Sequence, residues 1–434
     1  MKLCVIGLGY IGLPTAIMFA KYNVDVYGVD INSDIIERLS SGHIHIEEPG
    51  LQEMLEDALH AKKLSFGVLP VEADAFIISV PTPINSDKSA NLDYVIQATE
   101  SILPYIKKGN LVILESTVPP RTIEDVVLPI LSRSKLNVLR DLYVAHSPER
   151  VLPGKLLEEL VNNDRIVGGI NQESSEKTAE LYRSFVKGNI HITDATTAEM
   201  VKLMENTYRD VNIAYANELA KIAEHVGFNV WEAIDLANCH PRVNIHKPGP
   251  GVGGHCIAVD PWFIYESAPS LANLVHTSRT INDGMPKFVV NKMKHLLPSN
   301  NKNLKTVAVL GLAFKGNIDD MRESPAVEIV EQLRDDYNLQ IYDPHVKEYI
   351  TGRKDTLAEA VHGADVILIL TDHNEFKQID PKEIASIARG SLVFDTRNVV
   401  DQQKWSEAGF VHYVLGQQSP NLCKMGSGYI EATR

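Results

Sequence analysis

A glycine-rich turn near the N-terminus constrains the fold of this 434-residue chain more than any other feature. An apolar, β-forming segment, residues 2–8, leads into Gly7, Gly9 and Gly12, and residues 13–22 follow with the patterning of a helix. A buried strand that turns through glycines directly into a helix is typical of a βαβ unit in a parallel sheet. We therefore predict an α/β fold that begins with such a unit.

The second strand predicted for this unit, residues 23–30, ends in Asp30. In dinucleotide-binding units the glycines let backbone amides approach a pyrophosphate at the helix N-terminus, and an acid at this position accepts a hydrogen bond from the adenosine ribose. The charge of Asp30 would repel a 2′-phosphate, so NAD is favoured over NADP. The alternative is a tight turn that binds no ligand.

Patterning divides the rest of the chain into three parts. Strand and helix patterns alternate through residues 1–195 and return in residues 301–434, after a polar segment near residue 300. Residues 196–300 are mostly helical, with one long helix predicted for residues 197–226. Alternating strands and helices favour doubly wound parallel sheets. We predict an α/β protein with two Rossmann-like doubly wound parallel-sheet domains, joined by a helical connector that carries this long central helix.

Charge and cysteine content exclude several classes of protein. Lys and Arg number 42 against 56 Asp and Glu, a net charge of −14 that argues against nucleic-acid binding. The apolar runs are too short and interrupted to span a bilayer, so no membrane association is expected. Four scattered cysteines, Cys4, Cys239, Cys256 and Cys423, match neither a disulfide framework nor a zinc pattern, so we expect a reducing, cytoplasmic setting.

Two segments carry residues suited to catalysis. Lys202 and Asn206 lie four apart on the long helix and share one face, although a solvated polar stripe has the same pattern. Cys256 ends a loop with four glycines in residues 249–254, and Asp260 follows it. If a helix begins at Cys256, its N-terminal amides would lower the pKa of the thiol and favour the thiolate. A buried, inert cysteine is the alternative.

The chain resembles the UDP-glucose/GDP-mannose dehydrogenase family over essentially its whole length, because seven short segments occur in that family's order. They are residues 7–12, 80–83, 115–118, 147–150, Lys202 with Asn206, 253–256 and 311–315. The resemblance implies that two NAD and no metal oxidise a sugar C6 hydroxyl to a carboxylate. It implies an NAD-binding domain at residues 1–195, a central dimerisation domain at 196–300 and a UDP-sugar-binding domain at 301–434.

The resemblance also implies catalytic roles. The expected catalytic residues are Cys256 as nucleophile, Lys202 and Asn206 as oxyanion donors, and Asp260, Thr117 and Glu149 for water and proton transfer. An alcohol that becomes a carboxylate loses four electrons, so the aldehyde must be held between two oxidations. A thiolate would hold it as a thiohemiacetal and then as a thioester that water hydrolyses.

Further residues are expected, by the same resemblance, to bind the two ligands. The cofactor-binding set is Gly7, Gly9, Tyr10, Ile11, Gly12, Asp30, Pro81, Thr82, Thr117 and Arg322. The substrate-binding set is Glu149, Arg150, Val151, Leu152, Lys202, Asn206, Arg242, Gly253 and Lys315. Arg242 is expected to reach the sugar site of a neighbouring subunit, which implies a homodimer. No residue is expected to bind a metal.

The segments after Glu149 and Cys256 differ from those of the UDP-glucose enzymes in the family, which usually have Phe-Leu after the glutamate and Phe after the cysteine. The expected substrate is therefore a UDP-N-acetylhexosamine, with UDP-N-acetyl-D-mannosamine favoured and UDP-N-acetylglucosamine or UDP-glucose as alternatives. The product would serve as a precursor of a cell-surface polysaccharide. Two other classes are weighed against this one: a two-electron dehydrogenase of the β-hydroxyacid type, which needs no Cys256 loop, and a nucleotide sensor, which needs no thiol.

Overall fold

The structure, a computed structural model, describes residues 1–46, 48–151, 154–299 and 304–418. Leu152 and Cys423 therefore lie outside the described residues. The chain forms two units, one made of Met1–Glu205 with Trp262–Leu271, the other of Asn206–Pro261 with the chain from Ala272 onward. The domain boundaries at residues 195 and 300 stay a prediction. None of the helices in the described ranges is long and apolar enough to cross a membrane.

The first unit contains an eight-stranded sheet in the order β3-β2-β1-β4-β5-β6-β7-β8. Its strands are β1 Lys2–Ile6, β2 Asp25–Val29, β3 Leu64–Gly67, β4 Ala75–Ile78, β5 Leu111–Leu114, β6 Tyr143–His146, β7 Arg165–Gly169 and β8 Ile190–Asp194. The central strands β4 and β5 are buried along their whole length, which is why they read as unbroken apolar runs. All neighbouring pairs are parallel except β6 with β7.

Helices connect successive strands of this sheet along the chain. They are α1 Gly12–Lys21, α2 Ser33–Ser40, α3 Leu51–His60, α4 Asp93–Ile102, α5 Leu128–Leu131 after a π-helical turn at Ile123–Val127, α6 Val138–Asp141, α7 Leu156–Asn162 and α8 Gln172–Tyr182. The long helix α9, Ala195–Val226, begins in the first unit and ends in the second. Its predicted length is confirmed to within two residues at the N-terminal end.

The second unit contains a five-stranded, all-parallel sheet in the order β10-β9-β11-β12-β13. Its strands are β9 Lys305–Leu310, β10 Tyr337–Tyr342, β11 Val366–Ile369, β12 Leu392–Asp395 and β13 Val411–Val414. The remaining helices within the described residues are α10 Val230–Asn238, α11 Asp260–Ser267, α12 Asn273–Asp283, α13 Met285–Leu296, α14 Pro325–Leu333, α15 Leu357–Val361, a 3₁₀ turn at Asn374–Gln378, α16 Pro381–Ile387 and α17 Gln402–Glu407.

The predicted fold class, two doubly wound α/β sheets with a long central helix, is confirmed. Two details differ from the sequence prediction. The helical pattern of residues 270–297 is two helices, because Gly284 follows the end of α12 and Pro286, which lacks an N–H, lies in the first turn of α13. The antiparallel pair of β6 and β7 was not predicted, because a short buried apolar strand carries no signal for its direction.

Candidate active site

The glycine turn of the first unit is built by two of its three glycines. Gly7 has a φ of +90°, and a Cβ on it would lie 2.3 Å from the Ser79 carbonyl oxygen. A Cβ on Gly12 would lie 1.9 Å from the Gly7 carbonyl oxygen. A Cβ on Gly9 would meet no described atom within 4 Å. The fold therefore requires Gly7 and Gly12, whereas Gly9 leaves open space at the start of a helix, which fits the pyrophosphate of a dinucleotide.

Asp30 follows β2 and lies against this turn. Its carboxylate accepts hydrogen bonds from the backbone N–H of Leu8, at 3.0 Å, and of Asn32, at 2.9 Å. Both bonds fix the carboxylate at the carboxyl end of the strand, where a ribose of the dinucleotide is expected. The residues present therefore fit NAD.

The loops that follow β4 and β5 are fastened to each other at the same edge of the sheet. The Thr82 hydroxyl donates to the Thr117 carbonyl oxygen at 2.6 Å. The Ser116 hydroxyl donates to the Val80 carbonyl oxygen at 2.8 Å and accepts from the Val80 N–H at 2.9 Å. The sheet thus brings Pro81, Thr82 and Thr117 together at the carboxyl ends of parallel strands, where α/β proteins bind their ligands.

Glu199, on the first part of α9, holds the chain that follows Thr117. Its buried carboxylate accepts from the N–H of Arg121 at 2.5 Å and of Ile123 at 2.8 Å. Burial raises the pKa of Glu199 to about 7, against the effect of these two hydrogen bonds. Lys202, partly buried, follows on the same helix. The Thr117 loop is therefore anchored to the turn of helix that precedes Lys202.

Glu149 lies in a buried cluster of charges that the sequence did not reveal. The Arg165 guanidinium donates to Glu149 at 2.9 Å and to Glu115 at 2.6 Å, and the Tyr182 hydroxyl donates to Glu115 at 2.6 Å. Burial raises the pKa of Glu115, and the Arg165 charge opposes that rise. A signal was available: Glu115 directly follows the apolar strand β5 and Arg165 is the first residue of the apolar strand β7, positions where a solvated residue is less expected.

Arg150, predicted to contact substrate, is ion-paired with Glu205 on α9, with Nε–Oε1 at 3.1 Å. Val151 is partly buried and packs against the core of the first unit. The roles of Arg150 and Val151 in substrate binding stay predictions.

In the second unit, three predicted catalytic residues lie together. Asn206 donates to the Asp260 carboxylate at 2.6 Å, and the Asp260 N–H donates to the Cys256 carbonyl oxygen at 2.8 Å. Helix α11 begins at Asp260 and not at Cys256, because Pro261 is suited to the first turn of a helix. Cys256 is exposed and lies one turn before the helix.

The glycines before Cys256 are required by close backbone packing. Gly254 has a φ of +82°, and its N–H donates to the Arg322 carbonyl oxygen at 3.1 Å. A Cβ on Gly253 would lie 2.6 Å from the Phe314 Cβ. The loop that carries Cys256 therefore rests on residues 314–323, which include Lys315 and Arg322. Both side chains are exposed, and the Arg322 guanidinium pairs with Asp320 at 2.7 Å.

Buried polar side chains hold both ends of the cysteine loop. Asn217 on α9 accepts from the Gly249 N–H at 2.8 Å and donates to Asn282 at 2.8 Å. At the other end, Arg279 donates to the Ile257 carbonyl oxygen at 3.5 Å and to Asp210 on α9 at 2.6 Å. Sequence patterning did not single out these residues. They fix the loop on the long helix that carries Asn206.

The second sheet repeats the glycine turn of the first with a different acid. Gly311 has a φ of +96°, and Asp343, which follows β10, accepts from the Leu312 N–H at 2.7 Å. Asp343 is buried and also bonds to His373 Nε2 at 2.9 Å. Although burial opposes it, the bonds from His373 and the backbone amides hold the pKa of Asp343 well below its usual range. The His373 Nδ1 accepts from the Asn317 N–H at 2.9 Å.

One group among the described residues, His345, His373 and Glu375, has its ligand atoms close enough to hold a metal. Both ring nitrogens of His373 are already hydrogen-bonded, so this residue cannot also ligate a metal.

Arg242, predicted to contact substrate, is exposed and follows α10, where its backbone N–H donates to His240 Nδ1 at 3.3 Å.

Two glycine turns on doubly wound sheets, one with a partly exposed acid and one with a buried acid, define an α/β nucleotide-binding protein. Residues 1–186, 196–284 and 308–402 match, in turn, the NAD-binding, central and UDP-binding domains of the UDP-glucose/GDP-mannose dehydrogenase family. The chain belongs to this family. It is an NAD-dependent UDP-sugar dehydrogenase, an oxidoreductase, so the predicted family, cofactor and class of substrate are confirmed.

Several relatives are similar over nearly their whole length. A UDP-N-acetyl-D-mannosamine dehydrogenase from Methanocaldococcus jannaschii is 49% identical over 422 residues, which cover 96% of each chain. An NDP-N-acetyl-D-galactosaminuronic acid dehydrogenase from Ralstonia nicotianae is 45% identical over 408 residues, 91% of this chain and 95% of that one. The structure of a UDP-D-ManNAc dehydrogenase from Pyrococcus horikoshii has a TM-score of 0.89 and 44% identity, and covers 96% of this chain and 100% of that chain.

Proposed function

We propose that this enzyme oxidises the C6 hydroxyl of UDP-N-acetyl-D-mannosamine to the carboxylate in two steps through a covalent adduct on Cys256. The observation that carries the proposal is the placement of Cys256 one turn before Asp260, whose carboxylate is bonded to Asn206. A two-electron dehydrogenase needs no cysteine at this position. The names of the relatives in Methanocaldococcus jannaschii and Pyrococcus horikoshii support the choice of sugar.

NAD supplies a hydride acceptor for each of the two oxidations. In the first, the sugar alcohol loses a hydride and a proton and becomes an aldehyde. The Cys256 thiolate then adds to the aldehyde carbon, and Lys202 and Asn206 donate hydrogen bonds to the oxygen that becomes negative. Such preorganised donors lower a barrier by roughly 3–4 kcal/mol each. Loss of the second hydride leaves a thioester on Cys256.

Water completes the reaction. It attacks the thioester carbon and the C–S bond breaks. Cys256 is left on the enzyme as the thiolate, and the sugar is released as its carboxylate. Thr117, Glu149 and Asp260 are the groups proposed to orient this water and accept its proton. The sum is one alcohol, two NAD⁺ and one water converted to one carboxylate, two NADH and three protons. Positioned acid–base groups typically contribute about 10²–10⁴ in rate.

The experiment is a panel of UDP-sugars scored by NADH released per sugar and by carboxylate formed. UDP-N-acetyl-D-mannosamine should give the highest kcat/KM, with two NADH per sugar. Preference for UDP-N-acetylglucosamine, UDP-glucose or an N-acetylgalactosamine nucleotide would replace the proposed sugar. One NADH per sugar would instead favour the two-electron class, and NAD binding without turnover would favour a nucleotide sensor.

The covalent step is tested with Cys256→Ser. We expect carboxylate formation to fall by at least about 10³-fold while NAD binding is retained, because serine cannot form the thioester. Cys239→Ser is the matched control, since Cys239 is the other exposed cysteine among the described residues. A C256S enzyme that forms carboxylate at the normal rate would contradict the covalent scheme.

A homodimer is also proposed. One face of α9 carries four exposed large hydrophobic residues, Tyr208, Tyr215, Ile222 and Val226. Because they share one face of the helix, the partner we propose is the same helix of a second copy of the chain. Arg242 would then reach the sugar site of the neighbouring subunit. We further propose that the enzyme works in the cytoplasm, where exposed thiols stay reduced, and supplies a precursor of a cell-surface polysaccharide.

A further inference from the structure

We propose that Arg165 is a positioning residue for Glu149, holding the carboxylate in the one orientation that serves water and proton transfer. This inference rests on the proposed function, which gives Glu149 that task. Arg165 does not have to touch substrate, cofactor or the reacting atoms; it acts through the side chain that it holds.

Both oxygens of the Glu149 carboxylate are occupied. Oε2 accepts from Arg165 Nη1 at 2.9 Å, and Oε1 accepts from the N–H of Arg150 at 2.6 Å. The Glu149 side chain is 8% exposed and that of Arg165 is 5% exposed, so little solvent competes for these bonds. Two donors on opposite oxygens fix the plane of the carboxylate.

Arg165 is itself held on every side of its guanidinium. Nη2 donates to Glu115 at 2.6 Å, Nε donates to the Ser147 hydroxyl at 2.9 Å, and Cζ lies 3.7 Å from the ring centroid of Tyr182. The partners come from the ends of β5 and β6 and from α8. Only a planar fork of donors can meet three partners in one plane while it stacks on an aromatic ring, so lysine cannot replace arginine here.

The cluster of Glu149, Arg165 and Glu115 also contacts the helix that follows the glycine turn. Glu115 directly precedes the Ser116–Thr117 loop, and Thr15 on α1 donates to its other oxygen at 3.4 Å. The arrangement therefore connects Glu149 to the helix that follows the glycine turn. Buried ion clusters are rarely more stabilising than apolar packing of the same volume, so its position beside Glu149 indicates a role in orientation.

The test is a double-mutant cycle on kcat with Arg165→Met and Glu149→Gln. If Arg165 acts through Glu149, R165M lowers kcat about 10²-fold in the wild-type background and changes kcat less than about twofold in the E149Q background. KM for NAD should change little in either background. Losses that multiply in the double variant would show a general structural effect and overturn the inference.

Arg165→Lys is the second variant, because it keeps a positive charge between two buried carboxylates and so spares the fold. It should retain the thermal stability of the wild type better than R165M, yet lose kcat in the wild-type background and not in the E149Q background. Arg133→Met, which removes an exposed arginine paired with Glu100, is the matched control and should leave kcat unchanged. A wild type that releases no NADH from any UDP-sugar would overturn the proposed function and this inference with it; multiplicative losses in an active enzyme would overturn the inference alone.

Discussion

At the scale of single residues, the structure places buried acids where the predicted catalytic side chains need support. Glu199 holds the loop after Thr117, and Glu115 holds Arg165, which holds Glu149. The sequence predicted Thr117 and Glu149 but not these supporting residues. Burial of an acid depends on strands and helices that are distant in sequence, so no local pattern identifies it.

Glu199 should make stability depend on pH. Its folded-state pKa of about 7 lies above the ordinary value of 4.5, so the folded chain holds the proton more tightly. The associated stability is fully present below pH 4.5 and is lost as the pH rises through about 7. Over that range the loss is on the order of 3 kcal/mol.

Glu199→Gln should therefore flatten the dependence of the free energy of unfolding on pH between these limits, as measured by urea unfolding at a series of pH values. Glu72→Gln is the matched control, because Glu72 forms an exposed ion pair with Lys107. Equal slopes in wild type and E199Q would contradict the assignment.

At the scale of elements, the glycine turn and Asp30 were predictable because strand, turn and helix are consecutive in the sequence. The cysteine loop was predictable only as a glycine-rich, strained segment. What its glycines contact, Phe314 and the Arg322 carbonyl, comes from a distant part of the chain. The start of α11 at Asp260 was likewise missed, because the favourable position of Pro261 in a first turn was not weighed.

Gly9 and Gly12 should respond differently to alanine. Gly9→Ala adds a Cβ in open space, so the chain should fold normally but bind NAD about tenfold more weakly, a loss of about 1.4 kcal/mol. Gly12→Ala places a Cβ 1.9 Å from the Gly7 carbonyl oxygen and should lower the melting temperature. Titration with NAD and thermal unfolding of both variants check this. Unchanged NAD affinity in G9A would argue against a pyrophosphate at that position.

At the scale of the whole molecule, the sequence predicted two nucleotide-binding sheets and a long helix, and its net charge argued against nucleic-acid partners. The proposed association of two chains rests on a surface pattern, the apolar face of α9, that emerges only when burial is known. Tyr208, Tyr215, Ile222 and Val226 remain exposed there, whereas the opposite face of the helix is buried.

Tyr215→Glu should weaken dimerisation by about 30-fold or more, because an aromatic residue at the centre of an interface typically contributes at least about 2 kcal/mol. Sedimentation velocity over a range of concentrations measures the change. Glu180→Gln, an exposed polar change on α8 away from that face, is the control and should leave the dimer intact. A Y215E chain that stays dimeric at low concentration would place the interface elsewhere.

The bond between Asp343 and His373 has a consequence for ligand discrimination. If the two glycine turns of the chain were alike, NAD could bind at either of them. It would then compete with the sugar nucleotide at the second turn. Asp30 is partly exposed, while Asp343 is buried and its carboxylate is already bonded to an imidazole and to backbone amides. The Asp343 carboxylate is therefore not available to an adenosine ribose. One buried histidine thus distinguishes the acid of the second glycine turn from that of the first.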